Sequence, residues 1–136
     1  MVTRQDILDY AKDNYNTLPE RLWAKYPEFE VLRHEKNNKW YAILMNVSRD
    51  KVGLKPRSDS VDEVDGSKTK SDSSDNMVDI INIKCDPDMI GFMTNQKGFA
   101  PAYHMNKKHW LSIILDGSVA DEEIYNFIDL SYDLTE

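Results

Sequence analysis

The sequence predicts an α+β fold, in which helices pack on one mainly antiparallel sheet and the elements follow in the order α-β-β-β-α-β-α. Three observations predict this class. Apolar residues recur at helical spacing near both ends of the chain, apolar runs of strand length lie between them, and a short polar turn joins the first two runs. The chain has 136 residues, 40% of them hydrophobic, which suits one domain over residues 1–136 with a substantial core.

The first helix carries signals at both ends. Thr3 followed by Asp6 resembles a capping box, which opens a helix by satisfying its free amides. Asn14, Asn16 and Pro19 are typical of residues that end one. The stripe between them is apolar, so this helix is expected to pack on the sheet.

A β-hairpin is predicted next. Residues 29–34 alternate in polarity and residues 40–47 are largely apolar, as expected of two paired strands. The turn at residues 35–39 is polar and contains Asn37 and Asn38, a residue type that tolerates a positive φ.

Residues 55–76 differ in composition from the rest of the chain. Ser, Asp and Lys dominate there, and such a segment buries too little apolar area to offset its ordering entropy. We therefore predict a mobile polar loop. A third strand is expected over residues 77–85, and Asp86 followed by Pro87 is typical of an N-cap and first helical position.

The last elements are a strand and a helix. Residues 110–115 are nearly all apolar, which predicts a strand covered on both faces, and residues 99–103 are expected to be extended before it. Ser118, with Asp121 three residues on, is predicted to start the final helix.

Composition narrows the setting of the protein. Cys85 is the single cysteine, so an intramolecular disulfide is excluded and a reducing compartment is favoured. The N-terminus lacks an apolar signal-peptide core, and no apolar run is long enough for a membrane span. We expect a cytoplasmic protein with no membrane partner. Its oligomeric state, monomer or homodimer, is left open.

The formal charge of −7 is unevenly distributed. Residues 116–136 contain seven acidic residues and no basic one, whereas residues 1–115 are neutral in sum. Between residues 89 and 115 there is no acidic residue, and Lys97, Lys107, Lys108, His104 and His109 lie there. This basic segment fits either a solvated loop or a surface that contacts anions or nucleic acid.

No motif for catalysis or metal binding is present. His104 and His109 are spaced for neither a helical nor a strand-borne metal pair, and no serine or cysteine nucleophile motif or glycine-rich phosphate loop occurs. Cys85 is expected to be a buried structural thiol. Trp23, Trp40 and Trp110 fit either core packing or base stacking, and core packing is favoured for the last two. No enzyme activity and no cofactor are predicted.

Several sequence blocks resemble the MmcQ/YjbR family of small bacterial domains. The similarity extends almost from end to end, and the segment Tyr-His-Met-Asn-Lys-x-His-Trp is its most specific part. The blocks that carry it are residues 31–34, 39–42, 78–87, 101–110 and 128–134. The resemblance implies a cytoplasmic α+β domain similar to CyaY-like and secretion-chaperone-like sandwiches and to a double-wing DNA-binding module.

The leading hypothesis, since this family is often labelled DNA-binding, is a non-enzymatic domain that contacts DNA phosphates through a local basic surface. The residues assigned to this surface are Arg33, His34 and Lys39 on the hairpin, and His104, Lys107, Lys108 and His109 before the last strand. The alternative is a protein-interaction or chaperone-like module whose acidic final helix binds a basic partner. A third hypothesis is a small-ligand or catalytic pocket lined by His34, Tyr103 and His104.

Overall fold

The element order confirms the predicted α+β class and adds one short strand. The computed structural model describes residues 1–54 and 76–136. The helices are α1 (Arg4–Tyr15), α2 (Pro87–Met93) and α3 (Asp121–Thr135), and the strands are β1 (Glu30–Arg33), β2 (Trp40–Ser48), β3 (Met77–Lys84), β4 (Phe99–Pro101) and β5 (Trp110–Ile114). Strand β4 lies in the stretch predicted to be extended. The polar loop predicted for residues 55–76 falls, except for Asn76, outside the described residues.

The described strands form one antiparallel sheet in the order β1-β2-β3-β5-β4. In its register Ala42 pairs with Ile83, and Lys84 pairs with Trp110. The β1–β2 turn, the end of β3 and the start of β5 therefore meet at one end of the sheet, which we call the hairpin end.

Each face of the sheet buries its own apolar cluster. On the helix face, residues of all three helices, among them Ile7, Ile90 and Ile128, pack on strand residues such as Ile81 and Leu111. The opposite face, which we call the loop face, carries Val31, Ile43, Met45, Ile80 and Trp110. Non-helical segments cover this face through Phe29, Trp23, Tyr103 and Met105. The helices thus leave one side of the sheet to loops, and the candidate site lies there.

The predicted local signals are confirmed at three positions. The Thr3 hydroxyl accepts from the Asp6 amide at 3.2 Å, and the Asp6 carboxylate accepts from the Thr3 amide at 3.0 Å. Asn38 has φ 61° in the hairpin turn. The Asp86 carboxylate caps α2 by accepting from the amides of Asp88 and Met89.

The predicted start of the last helix is wrong by a few residues. Helix α3 begins at Asp121, and its N-cap is Ala120, which makes no side-chain capping bond. Ser118 instead belongs to the preceding turn, because its amide donates to the Asp116 carboxylate at 3.0 Å and Gly117 has φ 91°. Within residues 1–54 and 76–136, no helix has the length and apolarity needed to cross a membrane.

Candidate functional site

Two of the seven predicted contact residues are already engaged within the protein. His34 is only 4% exposed, and its Nε2 lies 2.8 Å from the Thr135 hydroxyl and 3.0 Å from the Tyr132 carbonyl oxygen. Arg33 donates from Nε and from one terminal nitrogen to the two carboxylate oxygens of Glu20, at 2.7 and 2.8 Å. His34 thus joins the hairpin to the end of α3, and its side chain is almost entirely shielded from solvent. The Arg33 charge is compensated by a bidentate ion pair.

The other five residues lie in two loops at the hairpin end. Lys39 is exposed in the β1–β2 turn, where its amide donates to the Asn37 side chain at 2.8 Å. The loop of residues 102–109 approaches the same end, because it leads into β5 at Trp110. It contains His104, Lys107, Lys108 and His109, all of them exposed.

A tight turn presents the basic residues of this second loop. The Asn106 side chain accepts from the Lys108 amide at 2.9 Å, and the Asn106 carbonyl accepts from the amides of His109 and Trp110. This is the side-chain-to-backbone bonding expected of asparagine in turns. Because the turn uses the backbone and Asn106, the side chains of Lys107 and Lys108 stay exposed to solvent.

A buried polar network fixes the start of the same loop to the sheet. The side-chain amide of Asn82 donates to the Tyr103 carbonyl oxygen at 3.0 Å, and the backbone amide of Tyr103 donates to the Ser112 hydroxyl at 3.2 Å. Ser112 in turn donates to the Asn82 side-chain oxygen. Asn82 and Ser112 are fully buried, so these bonds are sheltered from water and hold the loop in place. The signal of this network in the sequence is one polar residue inside each of two apolar strands, and the site predicted from the sequence does not include it.

A lysine-lined cavity of about 570 Å³ adjoins this loop. Lys51, Lys97 and Lys107 lie at its wall, and within residues 1–54 and 76–136 none of the residues that line it is acidic. Its apolar lining includes Phe99 of β4 and Ile114 of β5. Three ammonium groups without a carboxylate among them make this cavity suited to an anion.

A smaller aromatic cavity of about 240 Å³ is lined by residues of the turns before β1 and of the same loop. Its lining residues are Trp23, Tyr26, Phe29, Met45, His104 and Met105. Tyr26 stacks on Phe29 with ring centroids 4.9 Å apart, and Trp23 meets Phe29 edge-on at 6.0 Å. The wall is therefore formed by aromatic rings that contact one another, and Tyr26 remains 44% exposed.

The hypothesis of one pocket shared by His34, Tyr103 and His104 is wrong. His34 lines a third cavity of about 300 Å³ beside Asn16 and Glu20, Tyr103 lines the lysine-lined cavity, and His104 lines the aromatic cavity. The physical reason is that His34 turns toward the end of α3, whereas the 102–109 loop follows the loop face.

Cys85 is a buried thiol, as predicted. Burial, and then the charge of Asp86, raise its pKa from 9.0 to about 12. The thiol therefore stays protonated near neutral pH and is a poor nucleophile. Among the described residues, no group of three or more His, Cys, Asp or Glu side chains is arranged to hold a metal ion.

The tryptophans divide between the core and the site. Trp110 is buried, as predicted, and the Lys84 ammonium lies 5.6 Å from the centre of its ring. Trp40 is half-buried and meets Trp23 edge-on at 5.7 Å. Trp23 is thereby held against the loop face while one side of its ring borders the aromatic cavity.

The helix face carries the opposite charge. Helix α3 has five acidic residues and no basic one, and α1 adds Asp6, Asp9 and Asp13. Burial raises the pKa of Tyr125 above its ordinary value, and the negative charges of Asp6, Asp121 and Asp9 raise it further. Arg4 of α1 turns inward to Glu30 and Asp79. Helices α1 and α3 together therefore carry eight of the described acidic residues.

Comparison with known proteins relates this chain to one family of uncharacterized proteins. Residues 15–134 match the sequence pattern of the family described as YjbR. The chain is 38% identical to the uncharacterized protein YyaQ of Bacillus subtilis (strain 168) over all 136 residues of both chains. It is 36% identical over 53 residues to the uncharacterized protein YjbR of Escherichia coli (strain K12), which covers 38% of this chain and 45% of that protein.

Solved structures are similar over nearly the whole chain. One is the crystal structure of a Pseudomonas syringae protein whose sequence is 36% identical to this chain. The two structures superpose with a TM-score of 0.81, and the match covers 99% of this chain and 100% of that one. A Deinococcus radiodurans protein, 22% identical, has a TM-score of 0.65 over 98% of this chain and 78% of that one. The second similarity concerns the fold alone.

Proposed function

The chain belongs to the YjbR family, and we propose that it is a non-enzymatic domain that binds the phosphate backbone of DNA through its loop face. The contact surface consists of the 102–109 loop with its neighbouring lysines. Its members are Lys39, Lys51, Lys84, Lys97, His104, Lys107, Lys108 and His109. Arg33 and His34 are left out because both are engaged inside the protein.

The separation of charge between the two faces is the observation that carries this proposal. A chain of net charge −7 is a poor nucleic-acid binder when its charges are evenly mixed. Here α1 and α3 carry eight carboxylates, while the described residues that line the lysine-lined cavity include no acidic one. Phosphates approaching the loop face therefore meet ammonium groups first.

The chemistry of the surface favours positioning over base reading. Lysine is a mobile point charge that contacts phosphate oxygens, whereas arginine and amide side chains carry most base-specific contacts. We therefore expect modest affinity with little preference for sequence. About three to five phosphate contacts are expected, which corresponds to a slope of roughly −3 to −5 in log K against log salt.

Fluorescence anisotropy of a labelled DNA measures this slope. The DNA is tested in duplex and in single-stranded form between about 25 and about 200 mM salt, a range over which screening of exposed charges changes strongly. Lys107→Glu and Lys108→Glu are expected to weaken binding by about tenfold each, because each replaces an attractive charge by a repulsive one. Lys12→Glu is the matched control, since it makes the same change on α1 of the helix face.

Three results would contradict the proposal. Binding of neither DNA form at the lowest salt would reject it, and so would binding without salt dependence. Equal losses in Lys12→Glu and Lys107→Glu would show that total charge matters and that the loop face does not.

A second candidate function is a protein-interaction module that uses the helix face. The five acidic residues of α3, next to Asp6, Asp9 and Asp13 of the helix α1 that packs on it through Tyr10 and Tyr125, favour it. A basic protein segment would fit that surface, and DNA would be repelled by it.

A further inference from the structure

We infer that the nucleic acid is bound with an unpaired nucleotide, whose base enters the aromatic cavity while its phosphate lies in the lysine-lined cavity. This inference rests on the proposed function and adds the class of substrate, which is single-stranded rather than duplex DNA. In a duplex the bases are paired and stacked, so only an unpaired base can enter a side-chain pocket.

The two cavities are neighbours that share one wall. Tyr103 and Lys107 line the lysine-lined cavity, and His104 and Met105, between them in sequence, line the aromatic cavity. A ligand that crosses the 102–109 loop therefore meets an aromatic pocket on one side and ammonium groups on the other. A nucleotide has the same two parts, a planar ring joined to a phosphate.

The aromatic cavity fits a planar ring better than an aliphatic chain or a cation. Its wall combines Trp23, Tyr26 and Phe29, and the ionisable groups among the described residues that line it are the Tyr26 hydroxyl and the His104 imidazole. Aromatic faces attract cations, but Lys107 and Lys108 follow Met105 of this cavity closely in the chain, and their positive charge opposes the entry of a second cation. Flat faces that offer stacking without sequence-specific hydrogen bonds are typical of single-strand binders.

The shared wall is built to keep its shape. Tyr103 is hydrogen-bonded on both backbone groups to Asn82 and Ser112, and His104 has φ 63°, in the left-handed region that non-glycine residues adopt infrequently. A fixed backbone that aims a histidine at a cavity is the preorganisation that binding sites use to limit entropy loss.

The test compares three labelled ligands of equal length: an oligothymidylate, the same backbone with abasic residues, and a thymine–adenine duplex. The oligothymidylate is expected to bind about tenfold more tightly than the abasic strand and the duplex, because stacking of a base on an aromatic side chain is worth roughly that factor or more. Tyr26→Ala is expected to abolish this preference, and Tyr26→Phe to keep it.

Phe92→Ala is the matched control. Phe92 is 68% exposed on α2 and lines neither cavity, so its removal is expected to leave the preference unchanged. Equal binding of the thymidylate and abasic strands, with the salt dependence retained, would overturn this inference and leave the proposed function standing. Binding of none of the three ligands at low salt would overturn the proposed function itself.

Discussion

Individual residues show how far chemical type alone can mislead about role. His34 and His104 look alike in the sequence, yet the first is a buried contact to α3 and the second is exposed at a cavity. Glu30 interrupts an apolar strand, and the structure explains it by ion pairs to Arg4 at 2.7 Å and Arg21 at 3.0 Å. The residues that each side chain contacts decide its role, and most of these residues lie far away in the sequence.

Cys85 supplies a pH-dependent prediction at the same scale. Its folded pKa of about 12 lies above the ordinary value of 9.0, so the unfolded chain loses this proton first as pH rises. The stabilisation that the protonated Cys85 thiol contributes to the free energy of unfolding is therefore fully present below pH 9.0. It is lost as the pH rises toward about 12. We expect the Tm of the wild type to fall more steeply over that interval than the Tm of Cys85→Ala, measured by circular dichroism. Parallel curves would contradict the assignment.

At the scale of elements, loops are held by groups that the strands supply. The 102–109 loop packs on the loop face through Ala102, Tyr103 and Met105, and the network of Asn82 and Ser112 also fixes it to β3 and β5. The tyrosines between α1 and α3 act in the same way. Tyr10 and Tyr15 both donate to Asp129, and Tyr15 stacks on Tyr132 with ring centroids 4.0 Å apart.

Asn82→Ala tests whether the sheet positions the loop. The substitution leaves the half-buried Tyr103 carbonyl without its donor and the buried Ser112 hydroxyl without its acceptor, so we expect a loss of about 1–3 kcal/mol in the free energy of unfolding. DNA affinity is expected to fall as well, with the salt slope unchanged, because no phosphate contact is removed. Denaturant unfolding and the anisotropy titration measure the two effects. Unchanged affinity in a destabilised but folded variant would show that the loop holds its shape without Asn82.

For the whole molecule, the sheet separates two surfaces of opposite charge. Helices cover one face and bring acidic residues, and loops cover the other and bring lysines. The net charge of −7 is therefore an average over unlike surfaces. An anion approaching from the helix side is repelled and one approaching the loop face is attracted, which orients the encounter.

Glu122→Lys combined with Glu123→Lys distinguishes the two candidate functions. If DNA binds the loop face, its affinity is expected to rise by about two- to fivefold at low salt and to be unchanged near 0.3 M or above, roughly where screening removes long-range repulsion. If the helix face binds a basic protein, a partner retained from lysate by the wild type is expected to be lost. Both residues are in the first turn of α3, so the Tm of the variant is needed as a control.

Local structure follows from the sequence alone: the capping box at Thr3, the hairpin turn around Asn38, the cap at Asp86 and hence the order of the elements. Those signals act between residues a few positions apart, so a linear reading detects them. Family membership was also evident from sequence blocks along the chain. The cytoplasmic location and the absence of catalysis stay predictions. Three features depend on tertiary structure: the lysines that share a face, the burial of His34, and the two cavities that meet at the loop containing Tyr103. They could not be predicted from the sequence because strand register and helix packing join residues dozens of positions apart.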